Sequence, residues 1–206
     1  FDPTFNSAGS TPTDNATGIA TANDIVVDFN ENIAEGTGNI TLRNVTGSSN
    51  TEVFDITGAT ATSSPTAGNV GILNDKLYIN PTADLSYSNE YAIQIAATAI
   101  DDVAGNSFAG ITNETTFSVT TQTPPPVVIT SIVRNNPTDA TTSADQVVFR
   151  VTFAKDVINV DVSDFALSGT SAGDGTVSSV SVISSSIYDV TVTGVTSSNG
   201  TLNLDI

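Results

Sequence analysis

In the stretch DIVVDFN, Ile25, Val27 and Phe29 alternate with Val26, Asp28 and Asn30. A period of two sends successive side chains to opposite faces of the backbone, which suits a strand and not a helix. On this reading Ile25, Val27 and Phe29 face inward and Val26, Asp28 and Asn30 face outward. The period recurs in QVVFRVTF, where Val147, Phe149, Val151 and Phe153 form the inward set. Tyr91, Ile93 and Ile95 repeat it, as do Tyr188, Val190 and Val192. No segment holds a helical apolar period over several turns. Short alternating strands about ten residues apart, with turn residues between them, imply an all-β chain built as β-sandwiches. Phe29, Ile93, Ile95, Phe117, Phe149, Phe153, Val190 and Val192 are the expected core.

The pattern occurs twice. PTDNATGIATANDIVVDFNENI begins at Pro12 and PTDATTSADQVVFRVTFAKDV at Pro137. Both open on Pro-Thr-Asp, cross a Thr/Ala-rich turn and end an alternating strand in Phe, Phe29 in one and Phe153 in the other. Each then reaches a β-branched residue, Ile33 or Val157, and NITL (39–42) and DFAL (164–167) follow. YAIQI (91–95) and YDVTV (188–192) read as a further matched pair. Between the copies lies TQTPPPVV, whose three prolines favour an extended, semi-rigid spacer. The expected modules are therefore residues 1–123 and 124–206. The second is shorter, with about six strands by the same spacing rule. It stops before any counterpart of the DDVAGN loop and the strand TTFSVT (115–120), so it is expected to lack its last strand. That strand would come from later residues of the chain or from a neighbouring chain. The final TLNLDI alternates Leu202, Leu204 and Ile206 and should pair on at least one side.

Chemistry is restricted by what is missing. The chain has no Cys, His, Trp or Met. Without Cys there are no disulfides, thiolate metal sites or thiol catalysis. Without His the usual general base and transition-metal ligand are gone, which argues against zinc or iron. Paired carboxylates can hydrolyse glycosides, yet four Tyr and no Trp make a poor sugar platform, and no activated nucleophile is evident. No enzyme is expected.

The formal charge is -17, from 22 acidic and 5 basic residues. Such a surface repels nucleic acid and anionic membranes, and cations relieve its self-repulsion. No apolar run approaches the roughly 18 residues of a membrane helix. No signal peptide opens the chain, and the start at Phe1 suggests a fragment or a processed product.

Two groups of acids stand out. In DDVAGN, Asp101, Asp102 and Asn106 offer hard oxygens and Gly105 permits a tight turn, which suits Ca2+. The same residues suit a turn in which Asp and Asn accept backbone N–H groups. Asp14 and the strand end Asn30-Glu31-Asn32 could join them at one pole of a sandwich. In the second module, Asp156, Asp161 and Asp164 lie close together around Asn159, and Asp139 takes the place of Asp14. These too read either as Ca2+ ligands or as a solvated loop that keeps an edge strand soluble. Lys155 could satisfy Asp156 locally.

STPTDNATGIATANDIVVDFNENIAEGTGNITL and YAIQIAATAIDDVAGNSF together resemble the bacterial immunoglobulin-like domains that occur in tandem in large secreted or surface-bound proteins. These include repeats-in-toxin-type adhesins, biofilm-associated proteins and surface-layer proteins. ITSIVRNNPTDATTSADQVVFRVTFAKDVINVDVSDFALSG resembles a sister subtype. The resemblance implies two tandem immunoglobulin-like β-sandwiches, secreted or on the cell surface, with a structural or adhesive role and Ca2+ as stabiliser. It implies neighbouring Ig-like domains, of the same or adjacent chains, as partners. Assembly by strand addition in a surface layer or filament is one alternative. A terminal module binding cell-surface carbohydrate is another.

Overall fold

The alternating segments become strands in the computed structural model, which describes residues 1–47, 51–139, 141–196 and 199–206. The chain divides into two compact units, Phe1–Pro124 and Pro125–Ile206.

Unit 1 contains β1 (Ala16–Ile19), β2 (Ile25–Asp28), β3 (Ile33–Glu35), β4 (Asn39–Asn44), β5 (Glu52–Asp55), β6 (Asn69–Leu73), β7 (Lys76–Asn80), β8 (Glu90–Ile95), β9 (Ile100–Asp102) and β10 (Ser118–Thr121). One sheet runs β1-β10-β8-β4-β5, a second runs β2-β7-β6, and β3 pairs with β9. The ladders are antiparallel except for β1 and β10, which run parallel with Ala16 opposite Val119 and Thr17 opposite Thr120. β6 and β7 form a hairpin whose turn is Asn74-Asp75, with Asn74 at φ 58°. Asn tolerates that left-handed backbone better than most residues. Phe29, Ile40, Leu42, Leu77, Ile79, Tyr91, Ile93, Ile95 and Phe117 are buried in one core. Burial follows the alternation in β4 and β7, as a strand with one covered face requires.

Asp28 departs from its expected outward place: it is buried. The reason is a further segment laid on β2. Phe5 bridges Phe29, and Thr11 bridges Val26 with hydrogen bonds of 2.9 and 2.7 Å in the two directions. Residues 5–11 therefore cover the Asp28 side chain. Its carboxylate accepts from Asn6 Nδ2 at 2.6 Å and pairs with Lys76 Nζ, while Ser10 Oγ accepts the Asp28 N–H at 3.0 Å. The Asp28 carboxylate in turn raises the Lys76 ammonium above its ordinary value.

Unit 2 contains β11 (Ile129–Asn136), β12 (Gln146–Phe153), β13 (Ala166–Ser168), β14 (Thr176–Ser184), β15 (Ile187–Thr193) and β16 (Asn203–Asp205). β11-β12-β15-β14 form one sheet, and β13 pairs with β16 in the other. Phe149, Val151, Phe153, Phe165, Tyr188, Val190, Val192 and Leu204 are the buried core. On the opposite face of the larger sheet, Arg150 and Asp189 stand directly across from each other. They form a two-pronged ion pair at 2.8 Å in each prong.

The match of YAIQI with YDVTV needs correction. YDVTV lies in β15, which is flanked by β12 and β14. That is the place of β7, flanked by β2 and β6. The strand placed like β8 is β16, since β8 pairs with β4 and β16 pairs with β13. A Tyr-led alternation marks any strand with one buried face, so it cannot tell one such strand from another.

Candidate functional site

The two acidic groups singled out in the sequence resolve into local hydrogen-bond work. In DDVAGN, β9 turns back on itself through Gly105, which has φ 88°. Asp102 Oδ1 accepts the N–H groups of Ala104 and Asn106, both at 2.8 Å, and Oδ2 accepts Asn106 Nδ2 at 2.7 Å. Both carboxylate oxygens are thus committed to holding the turn. The bonds from Asn106, side chain first and backbone second, hold the Asp102 carboxyl below the usual Asp range. Asp101 points to the other side of the strand, and its Oδ1 accepts Ser107 Oγ at 2.6 Å. The two adjacent aspartates therefore tie one loop from opposite faces.

Asp14 is used at a different strand. Its Oδ1 accepts the N–H of Ser118 at 3.0 Å, and Asn15 N–H donates to Ser118 O at 2.8 Å. This clasps the start of β10 just where β1 joins it. Glu31 sits half-buried two residues before β3. Glu35 and Glu52 do similar work, accepting the Gly58 N–H at 2.9 Å and the Thr82 N–H at 2.9 Å.

In unit 2, Asp161 caps a short 3-10 turn, Val162–Asp164, by accepting the N–H of Ser163 at 2.7 Å. Asp164 reaches back to the Asp161 N–H at 2.9 Å, which completes a capping box. Bonds from the Ser163 hydroxyl and N–H lower the Asp161 carboxyl. Asp156 and Asp139 are exposed. Lys155 does not serve Asp156 as expected; its Nζ donates to the Pro125 carbonyl at 2.8 Å. Among the described residues, no three acidic side chains gather where one metal ion could sit. The bonded oxygens of Asp102, Asp161 and Asp164 accept N–H groups and build turns.

Sequence reasoning missed the Asp28 clasp. The signal was present: an acid inside an otherwise apolar alternation is costly to bury and needs a partner. Gly9 belongs to the same clasp, because a Cβ there would lie 2.0 Å from Asp28 Oδ2. Only glycine lets residues 5–11 lie this close.

Among the described residues, no helix is long and apolar enough to cross a membrane. No curated protein matches the chain. The bacterial Ig-like domain family is matched over residues 2–121, more than half of the sequence and nearly all of unit 1. Domains of this family occur in bacterial surface proteins as structural or adhesive modules, and the family is in general non-enzymatic. With its two-layered unit 1, its parallel β1–β10 closure and this match, the chain belongs to the bacterial Ig-like domain family.

Proposed function

We propose that this chain is an extender segment of a large extracellular bacterial protein, holding distance and tension between neighbouring Ig-like domains. The observation that carries this reading is the parallel pairing of β1 with β10. These are the first and last strands of unit 1. Tension on the two ends pulls parallel neighbours in opposite directions along their length. The ladder bonds then share the load, instead of opening one at a time as in an unzipped hairpin. Pulling the chain by its ends tests this reading, with unit 1 expected to resist more force than unit 2. The carbohydrate-binding alternative draws less support, since Tyr91 and Tyr188 are committed to the two cores and Tyr87 is the one exposed tyrosine.

Calcium forms a second part of the proposal, as a stabiliser that relieves a charge of -17. Exposed or half-exposed acids such as Glu31, Asp101, Asp139 and Asp156 supply the oxygens for weak binding. Extracellular sites commonly have Kd of roughly 10⁻⁴ to 10⁻³ M. An ion bound only to the folded chain stabilises it by about 2.7 kcal/mol at a hundredfold excess over Kd. Melting in chelator is therefore expected below melting in excess Ca2+, and Asp139→Ala with Asp156→Ala, which remove two exposed acids, should shrink the gap. Equal melting in both would remove calcium from the proposal. Full recovery by monovalent salt would replace it with charge screening.

A further inference from the structure

β14 (Thr176–Ser184) ends one side of the sheet β11-β12-β15-β14. Its nine residues, TVSSVSVIS, include no charge, Pro or Gly. An edge strand offers a row of N–H and C=O groups to other chains unless charge, shortness or a covering segment prevents pairing. Among the described residues the other edges are guarded in those ways. β5 carries Glu52 and Asp55, and β11 carries Arg134. β6 is covered by Thr60, whose carbonyl accepts the Ile72 N–H at 2.9 Å. β1, β3, β9, β13 and β16 have four residues or fewer. On β14, by contrast, Val182 is 68% exposed and Ile183 is 52% exposed. Val180 and Val182 stand opposite the buried Val190 and Tyr188, so both lie on the core-facing side of the sheet. Val180 packs against the core, and Val182 carries that apolar surface out to solvent.

Two observations name the occupant of this edge. Residues 178–184 are SSVSVIS, which as Ser-x-Val-Ser-Val-x-Ser reads the same in either direction. An antiparallel copy turned about Ser181 therefore sets each Val180 against a Val182, and Ser181 against its own counterpart. The second observation is charge. A chain of net charge -17 repels its own copies, so close approach needs uncharged surface. β14 offers such a surface, and Asp189 on the neighbouring β15 is neutralised by the two-pronged pair with Arg150. We infer that β14 is a lateral pairing edge: two copies of this chain join antiparallel through β14 about a two-fold axis at Ser181, which makes one eight-stranded sheet from two four-stranded ones. The ladder from β14 to β15 is regular from Ser179 to Val182 and shifts on either side, so the seam is short. A seam this short buries less than the roughly 1,200 Å² of a stable complex, so the pair is weak and reversible. This inference is independent of the tension-bearing reading of unit 1.

The test uses the whole chain, in chelator so that no divalent cation bridges the acids. Sedimentation equilibrium should show the average mass climbing towards that of a dimer as the chain is raised to about 1 mM. Added salt should increase the dimer fraction, because screening removes the repulsion between copies. Val182→Lys should keep the chain monomeric over the same range with the melting of unit 2 unmoved, since Val182 is exposed. Val53→Lys on the guarded β5 edge should leave association as it was. The chain has no Cys, so Ser181→Cys places a single thiol at the axis and should give a disulfide-linked dimer on mild oxidation. Ser179→Cys should link about tenfold more slowly or not at all, because four residues of strand rise put it about 13 Å from its counterpart. A chain that stays monomeric at about 1 mM would overturn the inference. So would association that survives Val182→Lys, growth into species larger than a dimer, or equal rates of linking at the two thiol positions.

Discussion

Phe117→Ala is expected to destabilise unit 1 by about 4 kcal/mol, within the usual range for removing a buried aromatic side chain. Phe117 is fully buried, and its ring centroid lies 5.0 Å from that of Phe5. Its carbonyl also accepts the Ile93 N–H at 3.0 Å, which ties the entry of β10 to β8. Losing the ring therefore opens a cavity at the closing strand and loosens the segment that Phe5 anchors. Urea unfolding followed by far-UV circular dichroism should show the unit 1 midpoint shifted down, with the unit 2 transition unmoved. Val53→Ala provides the contrast: Val53 is exposed, and its loss should cost less than about 0.5 kcal/mol. A Phe117→Ala cost as small as that of Val53→Ala would mean that β10 does not close the sandwich.

Asp28→Ala is expected to cost about 3 kcal/mol, because removing one member of a buried charge pair strands its partners. Lys76 Nζ and Asn6 Nδ2 both donate to this carboxylate. The estimate sits at the low end for buried pairs because the Lys76 side chain keeps 33% of its exposure and can turn to water. For the same reason Lys76→Met should cost less than Asp28→Ala. Gly9→Ala should act through the same contact, by pushing residues 5–11 off β2. Equilibrium denaturation of the three variants checks the order. A cost below about 1 kcal/mol for Asp28→Ala would mean that the N-terminal segment is held by its backbone bonds alone.

The strands were legible because alternation is a direct consequence of burying one face. Phe29, Ile93, Phe149 and Val190 could be placed in the cores without knowing which strands paired. Pairing was less legible. YDVTV and YAIQI have the same rhythm, yet one lies in the sheet of β12 and the other beside β4. What separates them is the hairpin partner, and a period of two carries no information about that. Asp28 was misplaced for a related reason. Alternation gives the side of the strand, but a covering segment more than ten residues upstream in sequence decides whether that side meets water. The adjacent Asp101 and Asp102 read equally well as ligands or turn-formers, because both uses need oxygens at the same spacing. The three N–H groups aimed at Asp102 are a tertiary fact that the letters DDVAGN do not contain.

Tension across the parallel β1–β10 ladder is the centre of the functional proposal, and single-molecule pulling from the two ends of the chain tests it most directly. Forced unfolding reports the barrier to leaving the native state and not equilibrium stability. Unit 1 joins its first and last strands in one parallel ladder, while unit 2 has β11 and β16 in different sheets. The expected trace has two separate events, with unit 2 yielding first at low force and unit 1 yielding later in one step at clearly higher force. Unit 1 opening at the same force as unit 2, or before it, would contradict the extender reading.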